Sequence, residues 1–176
     1  DAKDGFESTP IHDAVLSVNH LTLDQALRQE PTSLNQHDGT GFTPLHWAVL
    51  RDDVDSISTL LAWKTDVDCR DIEGNTPLHI ACRSTKLQAV RLLLAAKCSV
   101  SLPNDFSSTP LHATHMIRKL QILIRAGTDI NSRDYRLRAP VHWASRVAWV
   151  CPYFSILRDA GADLSVVDTN GQSILH

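Results

Sequence analysis

The chain has 176 residues, of which 43% are hydrophobic and 21% charged, and its formal net charge is −3. This composition is ordinary for a packed globular protein, and no apolar run approaches the ~18 residues that a membrane-spanning helix needs. The mild acidity and the lack of a known nucleic-acid-binding motif argue against a nucleic-acid partner.

A tetrapeptide of the form Thr-Pro-aliphatic-His recurs at steps of 34, 33, 33 and 30 residues, and a partial copy follows 34 residues later. The threonine suits a helix N-cap and the proline suits the first helical position. The aliphatic residue is expected to face the core, and the histidine to tie the threonine to nearby backbone. The motif therefore predicts a helix start in each copy. The copies begin at Thr9, Thr43, Thr76, Thr109 and Ala139, and the last is Ser173-Ile174-Leu175-His176.

A second helix is predicted after each motif helix, followed by a loop and a tight turn. In the third unit the apolar stripe of this second helix includes Leu87, Val90 and Leu93, at the spacing of one buried helical face. Asp and Gly residues mark the turns. Gly127 and Gly161 follow the second helix, where a left-handed C-cap is expected. The earlier units carry Pro31, Lys64 and Lys97 at this place, which predicts a small loss of stability and leaves the geometry of these loops open.

On these motifs and their period near 33 residues, the chain resembles the ankyrin-repeat family over essentially its full length. The resemblance implies an all-α fold, an α-solenoid with short β-hairpin fingers, about five repeats and a truncated sixth. Fingers and inner helices would form a concave face. We expect a single domain, 1–176, with repeats at about 4–37, 38–70, 71–103, 104–133 and 134–167, and a partial repeat at 168–176.

Two units depart from the regular pattern. The fourth is three residues short between His115 and Met116, so its inner helix, residues 111–115, should join an outer helix at about 117–125 through a tighter link. The fifth has one extra residue within 146–152, and Pro152 is expected to start its outer helix. Sequence drift and a local binding feature both remain open as explanations.

The polar residues predict no catalytic, cofactor-binding or metal site. Six of the nine histidines belong to the motif, and the pair His112 and His115 is better explained by it than by a metal. No nucleophile–base pair or Gly-rich phosphate loop is present. None of the cysteines forms a C-x-x-C pair, and buried, reduced thiols in an intracellular protein are expected. The cysteines are Cys69, Cys82, Cys98 and Cys151.

The resemblance also implies partner binding through hairpin tips and the exposed ends of inner helices. Aromatic residues and arginines at these places are the types that dominate interface energy, although each aromatic could instead pack on a neighbouring hairpin. The arginines between 133 and 146 are opposed only by Asp134, which predicts an acidic or mixed acidic–apolar partner segment. The candidate partner-binding residues are Phe42, Arg51, Arg83, Phe106, Arg133, Tyr135, Arg136, Arg138 and Arg146.

The function predicted first is a non-catalytic protein–protein interaction module, without a cofactor, in the cytoplasm or the nucleus. The chain opens within a hairpin and ends within a motif, which suggests part of a larger polypeptide. Alternatives are a substrate-recruiting or regulatory segment of an enzyme or channel, and a methyl-lysine reader that uses Trp47 and Trp143. Packing in the core is the favoured role of these two tryptophans, because they lie three repeats apart. Residues 1–73 hold 14 acidic and 5 basic side chains, and residues 74–176 hold 6 and 12, an asymmetry that could steer a charged partner.

Overall fold

The computed structural model describes residues 8–18, 20–144 and 152–173. The chain divides into two compact units, Asp1–Cys98 and Ser99–His176, and the single domain expected over 1–176 stays a prediction. The first unit contains α1 (Pro10–Leu16), α2 (Leu23–Gln29), a 3₁₀ turn (Pro31–Ser33), α3 (Pro44–Arg51), α4 (Val54–Ala62), α5 (Pro77–Arg83) and α6 (Gln88–Ala95). The second contains α7 (Ile117–Arg125), α8 (Pro140–Ala144) and α9 (Pro152–Asp159).

The fold is an all-α repeat stack, which confirms the predicted class. Over the described ranges there is no β-strand, and only Val167 and Ser173 form an isolated antiparallel bridge. The β-hairpin fingers and the exact number of repeats stay predictions.

The first helix of a repeat begins at the motif proline because the preceding threonine caps it. The Oγ1 of Thr9 accepts from the N–H of His12 (3.4 Å), and the Oγ1 of Thr43 accepts from the N–H of His46 (3.5 Å). In return, the histidine Nδ1 accepts from the threonine N–H, at 3.3 Å in the first repeat and 3.2 Å in the second. Such a cap contributes about 1 kcal/mol of helix stability.

The same histidine links each repeat to the next. Its Nδ1 already accepts from a backbone N–H, so in the neutral ring the proton lies on Nε2, which donates to a carbonyl. Its distance to that oxygen is 3.0 Å for His12 and Phe42, 3.1 Å for His46 and Asn75, and 3.0 Å for His112 and Arg138. The motif histidine is therefore both a helix cap and a tether between repeats.

Asparagine side chains form a second set of tethers on the loops after the outer helices. The Oδ1 of Asn35 accepts from the Thr65 hydroxyl (2.7 Å) and from the N–H of Asp66 (2.9 Å). Asn131 makes the equivalent backbone bond in the second unit, where its Oδ1 accepts from the N–H of Asp163 (2.8 Å). Adjacent repeats are thus joined by polar bonds at the finger side and at the loop side.

Aliphatic side chains of the outer helices close the core of each unit. In the first unit α3 packs against α1, α4 and α5, and Leu60 of α4 and Leu93 of α6 are fully buried. In the second unit α9 packs against α7 and α8, with Leu123 and Leu157 buried. Each such side chain contributes about 1.5–3 kcal/mol by leaving water.

The inner helix predicted at residues 111–115 is absent, which corrects that expectation. The N–H groups of His112, Ala113 and Thr114 each bond the carbonyl three residues earlier, at 2.9, 3.2 and 3.2 Å, in a run of turns. The unit is three residues short, so too few residues precede α7 to continue this tight winding as an α-helix. The outer helix spans Ile117–Arg125 as predicted, and α9 begins at Pro152 as predicted. The predicted insertion at 146–152 lies largely outside the described residues.

Cys69, Cys82 and Cys98 are buried thiols, as predicted, whereas Cys151 lies outside the described residues. Burial raises the pKa of both Cys69 and Cys98 to about 12, so neither is a reactive thiolate at neutral pH. Their role in this fold is to fill the core.

Candidate functional site

Within residues 8–18, 20–144 and 152–173, five loops share one turn, and we call them the finger loops. In each, the Oδ1 of an Asp or Asn accepts from the N–H groups two and four residues later. The N–H of that Asp or Asn donates to the carbonyl four residues on. These bonds fix the backbone without a strand ladder and leave most of the middle residues exposed. The finger loops are 38–42, 71–75, 104–108, 134–138 and 168–172.

Phe106 and Tyr135 lie together on two adjacent finger loops of the second unit. The N–H of Tyr135 donates to the carbonyl of Phe106 (3.0 Å), and the two ring centroids are 5.9 Å apart. Phe106 remains 47% exposed and Tyr135 54% exposed. Each ring therefore packs on its neighbour and still offers apolar surface to solvent, which combines the two alternatives that the sequence left open.

Arg136 completes this cluster with a positive charge. Its guanidinium carbon lies 5.2 Å from the centre of the Tyr135 ring, within the range of a cation–π contact. Its carbonyl accepts from the N–H of Thr169 (3.0 Å), which holds the finger in place. We call Phe106, Tyr135 and Arg136 the aromatic–arginine patch.

Arg138 has a structural role that the sequence did not reveal. Its Nη2 lies 2.7 Å and its Nε 2.9 Å from Oδ2 of Asp134, and its guanidinium carbon lies 4.4 Å from the centre of the Trp143 ring. Burial alone would raise the pKa of Asp134, but hydrogen bonds from Arg138 and Arg136 outweigh it and lower the pKa. Arg138 thus stabilises its own finger loop. The exposed guanidinium of this loop is that of Arg136.

The remaining arginine candidates of the second unit differ in placement. Arg133 is exposed just before the 134–138 finger. The pKa of Asp163 is lowered mainly by hydrogen bonds from Ser165, and the positive charge of Arg133 adds a smaller lowering. Arg146 lies outside the described residues.

Two candidates of the first unit, Phe42 and Arg83, line a groove of about 590 Å³. Phe42 stands over His46 with ring centroids 5.5 Å apart, and Trp47 meets it edge-on at 5.2 Å. Arg83 is an exposed lining residue. Arg51 is outside the groove lining, and its Nη1 donates to the carbonyl of Leu16 (3.3 Å). Apolar lining comes from Phe42, Leu50, Ile72 and Ile80.

Both tryptophans proposed for a methyl-lysine cage already have polar partners. The indole N–H of Trp47 donates to the Asp38 carboxylate at 2.6 Å. Trp143 carries the guanidinium of Arg138 against its ring. A cage needs open ring faces and an available acid, so this arrangement gives the reader hypothesis no support.

The His, Cys, Asp and Glu side chains of the described ranges do not form a metal-binding cluster. There, no three His, Cys, Asp or Glu side chains are grouped so that they could hold a metal ion. His112 bonds Thr109 through Nδ1 (2.9 Å), while His115 is exposed. None of the described helices is long and apolar enough to cross a membrane.

Comparison with known proteins bears on the repeats themselves. A family model described as ankyrin repeats, in three copies, matches residues 11–104 and 57–134, which together cover more than half of the chain. A comparison with curated proteins finds no match.

Proposed function

Because the chain belongs to the ankyrin-repeat family, we propose that it is a non-catalytic module that binds a segment of a partner protein. Ankyrin repeats are generally protein–protein interaction modules and are typically non-catalytic. We further propose that it acts inside the cell, in the cytoplasm or nucleus, as part of a larger polypeptide. The buried thiols support a reducing compartment.

The aromatic–arginine patch is the observation that carries the proposal. Folding does not require Phe106, Tyr135 or Arg136 at the tips of their loops, because the turn bonds are made by the backbone and by Asn104 and Asp134. Large rings that remain about half exposed beside a guanidinium have the composition of an interface centre. Burial of these side chains would therefore contribute more to partner binding than their present contacts contribute to folding.

The charge of the patch favours an acidic or mixed acidic–apolar segment. A guanidinium binds a carboxylate through paired hydrogen bonds, and the adjacent rings supply apolar contact. Arg133 adds a second positive charge near the same finger. Because exposed charges are screened over about 8 Å at physiological ionic strength, the affinity should fall as salt is raised.

A displayed library of random peptides tests this proposal. Panned on the wild-type chain, the library should become enriched in Asp and Glu next to apolar residues. Panned on Arg136→Glu, it should lose that enrichment, because the reversed charge repels carboxylates. Arg28→Glu is the control, since it reverses an exposed charge on α2. Equal acidic enrichment on both folded variants would place the site elsewhere.

The alternative of a substrate-recruiting or regulatory segment in an enzyme or channel uses the same binding chemistry. This alternative differs only in the protein that carries the bound segment, which would be a substrate or another part of the parent protein. Identification of the selected sequences in a substrate of the parent protein would favour it.

A further inference from the structure

Leu137 has a backbone conformation that the other finger loops mostly give to glycine. Its φ is 59°, and the equivalent residues Gly41, Gly74 and Gly171 have φ of 79°, 73° and 72°. In the 104–108 finger the same position is Ser107, with φ of 55°. A left-handed conformation is uncommon for a residue with a bulky side chain, because Cβ crowds the following carbonyl.

The fold gains little from the leucine side chain at this position. It is 47% exposed, so much of its apolar surface remains in water. The loop is closed by bonds that a glycine would keep, since the N–H of Leu137 donates to the carbonyl of Asp134 (2.8 Å) whatever the side chain is. Leu137 therefore combines a strained backbone with an exposed apolar group.

We infer that Leu137 is a partner-contact residue, which joins the aromatic–arginine patch in taking an apolar side chain of an acidic protein segment. Residues 135, 136 and 137 are consecutive exposed residues of one finger. In the bound state Arg136 pairs with a carboxylate, and Leu137 and the two rings cover the neighbouring apolar group. Strain that persists at an exposed position commonly marks a binding site. This inference rests on the proposed function.

The experiment compares Leu137→Gly with Ser107→Gly, a matched change at the same position of the adjacent finger. Both variants relieve a positive φ, so each should raise the melting temperature, by about 2–4 °C. The probe is a short fluorescein-labelled peptide with a Leu-Leu pair between glutamates, and anisotropy gives its Kd. Leu137→Gly should weaken binding about fivefold or more, whereas Ser107→Gly should leave the Kd unchanged. A peptide with serines in place of the leucines should bind both variants equally.

The two variants separate a binding role from a structural one, because stability and affinity are expected to move in opposite directions. A Leu137→Gly variant that binds the probe as the wild type does, or that melts at a lower temperature, overturns the inference. If Arg136→Glu abolishes binding in that case, the proposed function stands without Leu137. If Arg136→Glu also binds normally, or the wild type does not bind the probe, the proposed surface fails with it.

Discussion

At the residue scale, the motif histidine is the side chain on which most of the local order depends. In His46 both ring nitrogens are used, Nδ1 by the N–H of Thr43 (3.2 Å) and Nε2 by the carbonyl of Asn75 (3.1 Å). The residue is fully buried. Removal of the ring would deprive the buried N–H of Thr43 of its bond to Nδ1 and would open a cavity, while the Asn75 carbonyl would keep only its bond from the N–H of Asp71 (2.9 Å).

We therefore expect His46→Ala to lower the free energy of unfolding by about 1–3 kcal/mol. Urea denaturation followed by circular dichroism measures this change. His115→Ala is the matched control, because His115 is an exposed histidine outside the motif, and its midpoint should stay within experimental error. An unchanged midpoint for His46→Ala would mean that the tether adds nothing to stability.

At the element scale, the unit with the shortened inner segment has its own stabilising contact. The Tyr153 hydroxyl, at the start of α9, donates to the carbonyl of Thr114 at 2.5 Å. Thr114 ends the run of turns that replaces the helix, and its hydroxyl donates to the carbonyl of Pro110 (3.1 Å). A side chain of the next repeat thus holds a stretch that has no regular helix.

We expect Tyr153→Phe to destabilise the second unit by about 1 kcal/mol, because it removes one buried hydrogen bond and leaves the Thr114 carbonyl without it. Urea denaturation measures the loss. Tyr135→Phe removes the same hydroxyl from a ring that is 54% exposed, so it should not change the midpoint. Equal effects of the two substitutions would contradict a role for the Tyr153 bond.

Helix starts were the most predictable elements, because their signal is local. Threonine before proline specifies an N-cap and a first turn almost without regard to surroundings, and α3 and α5 begin at the predicted Pro44 and Pro77. The prediction of an inner helix at 111–115 was wrong. Whether a short motif continues as a helix depends on the number of residues between it and the next element. Chain length within the repeat, and not the motif, decided that outcome.

The loops and buried polar groups were less predictable, because tertiary bonds decide them. The sequence left the loop geometry at Pro31, Lys64 and Lys97 open. Lys64 and Lys97 keep the left-handed conformation of the glycine caps, with φ of 60° and 62°, whereas Pro31 starts a 3₁₀ turn. Lys119 of α7 is fully buried, although lysine is rarely so. At the candidate surface, the sequence left open whether Phe106 and Tyr135 are exposed or packed, and the bracing role of Arg138 depends on a contact with Trp143 that no spacing reveals.

At the scale of the whole molecule, the histidine tethers make stability depend on pH. Burial lowers the pKa values of His12, His46 and His112 below their ordinary 6.5, against the raising effect of their backbone bonds. Protonation of Nδ1 would also break its bond from the threonine N–H, because two donors would then face each other. Below pH 6.5 the unfolded chain therefore binds more protons than the folded one, so stability falls as the pH falls.

We expect the free energy of unfolding to be nearly constant between about pH 7 and pH 8, below the range in which the buried thiols titrate, and to fall by at least about 1 kcal/mol between about pH 7 and pH 5. The three tethers together allow a slope of up to about 4 kcal/mol per pH unit. Urea midpoints across this range measure it. The variant His46→Gln should reduce the slope, whereas His20→Gln/His115→Gln, at two exposed sites, should not. Burial alone would raise the pKa of Asp38, but hydrogen bonds from Thr40 and Trp47 lower it below its ordinary 3.8, so a second loss should begin as the pH falls below that value. A profile that stays flat from pH 7 to pH 5 would show that the tethers tolerate protonation and that their rings are not held neutral by the fold.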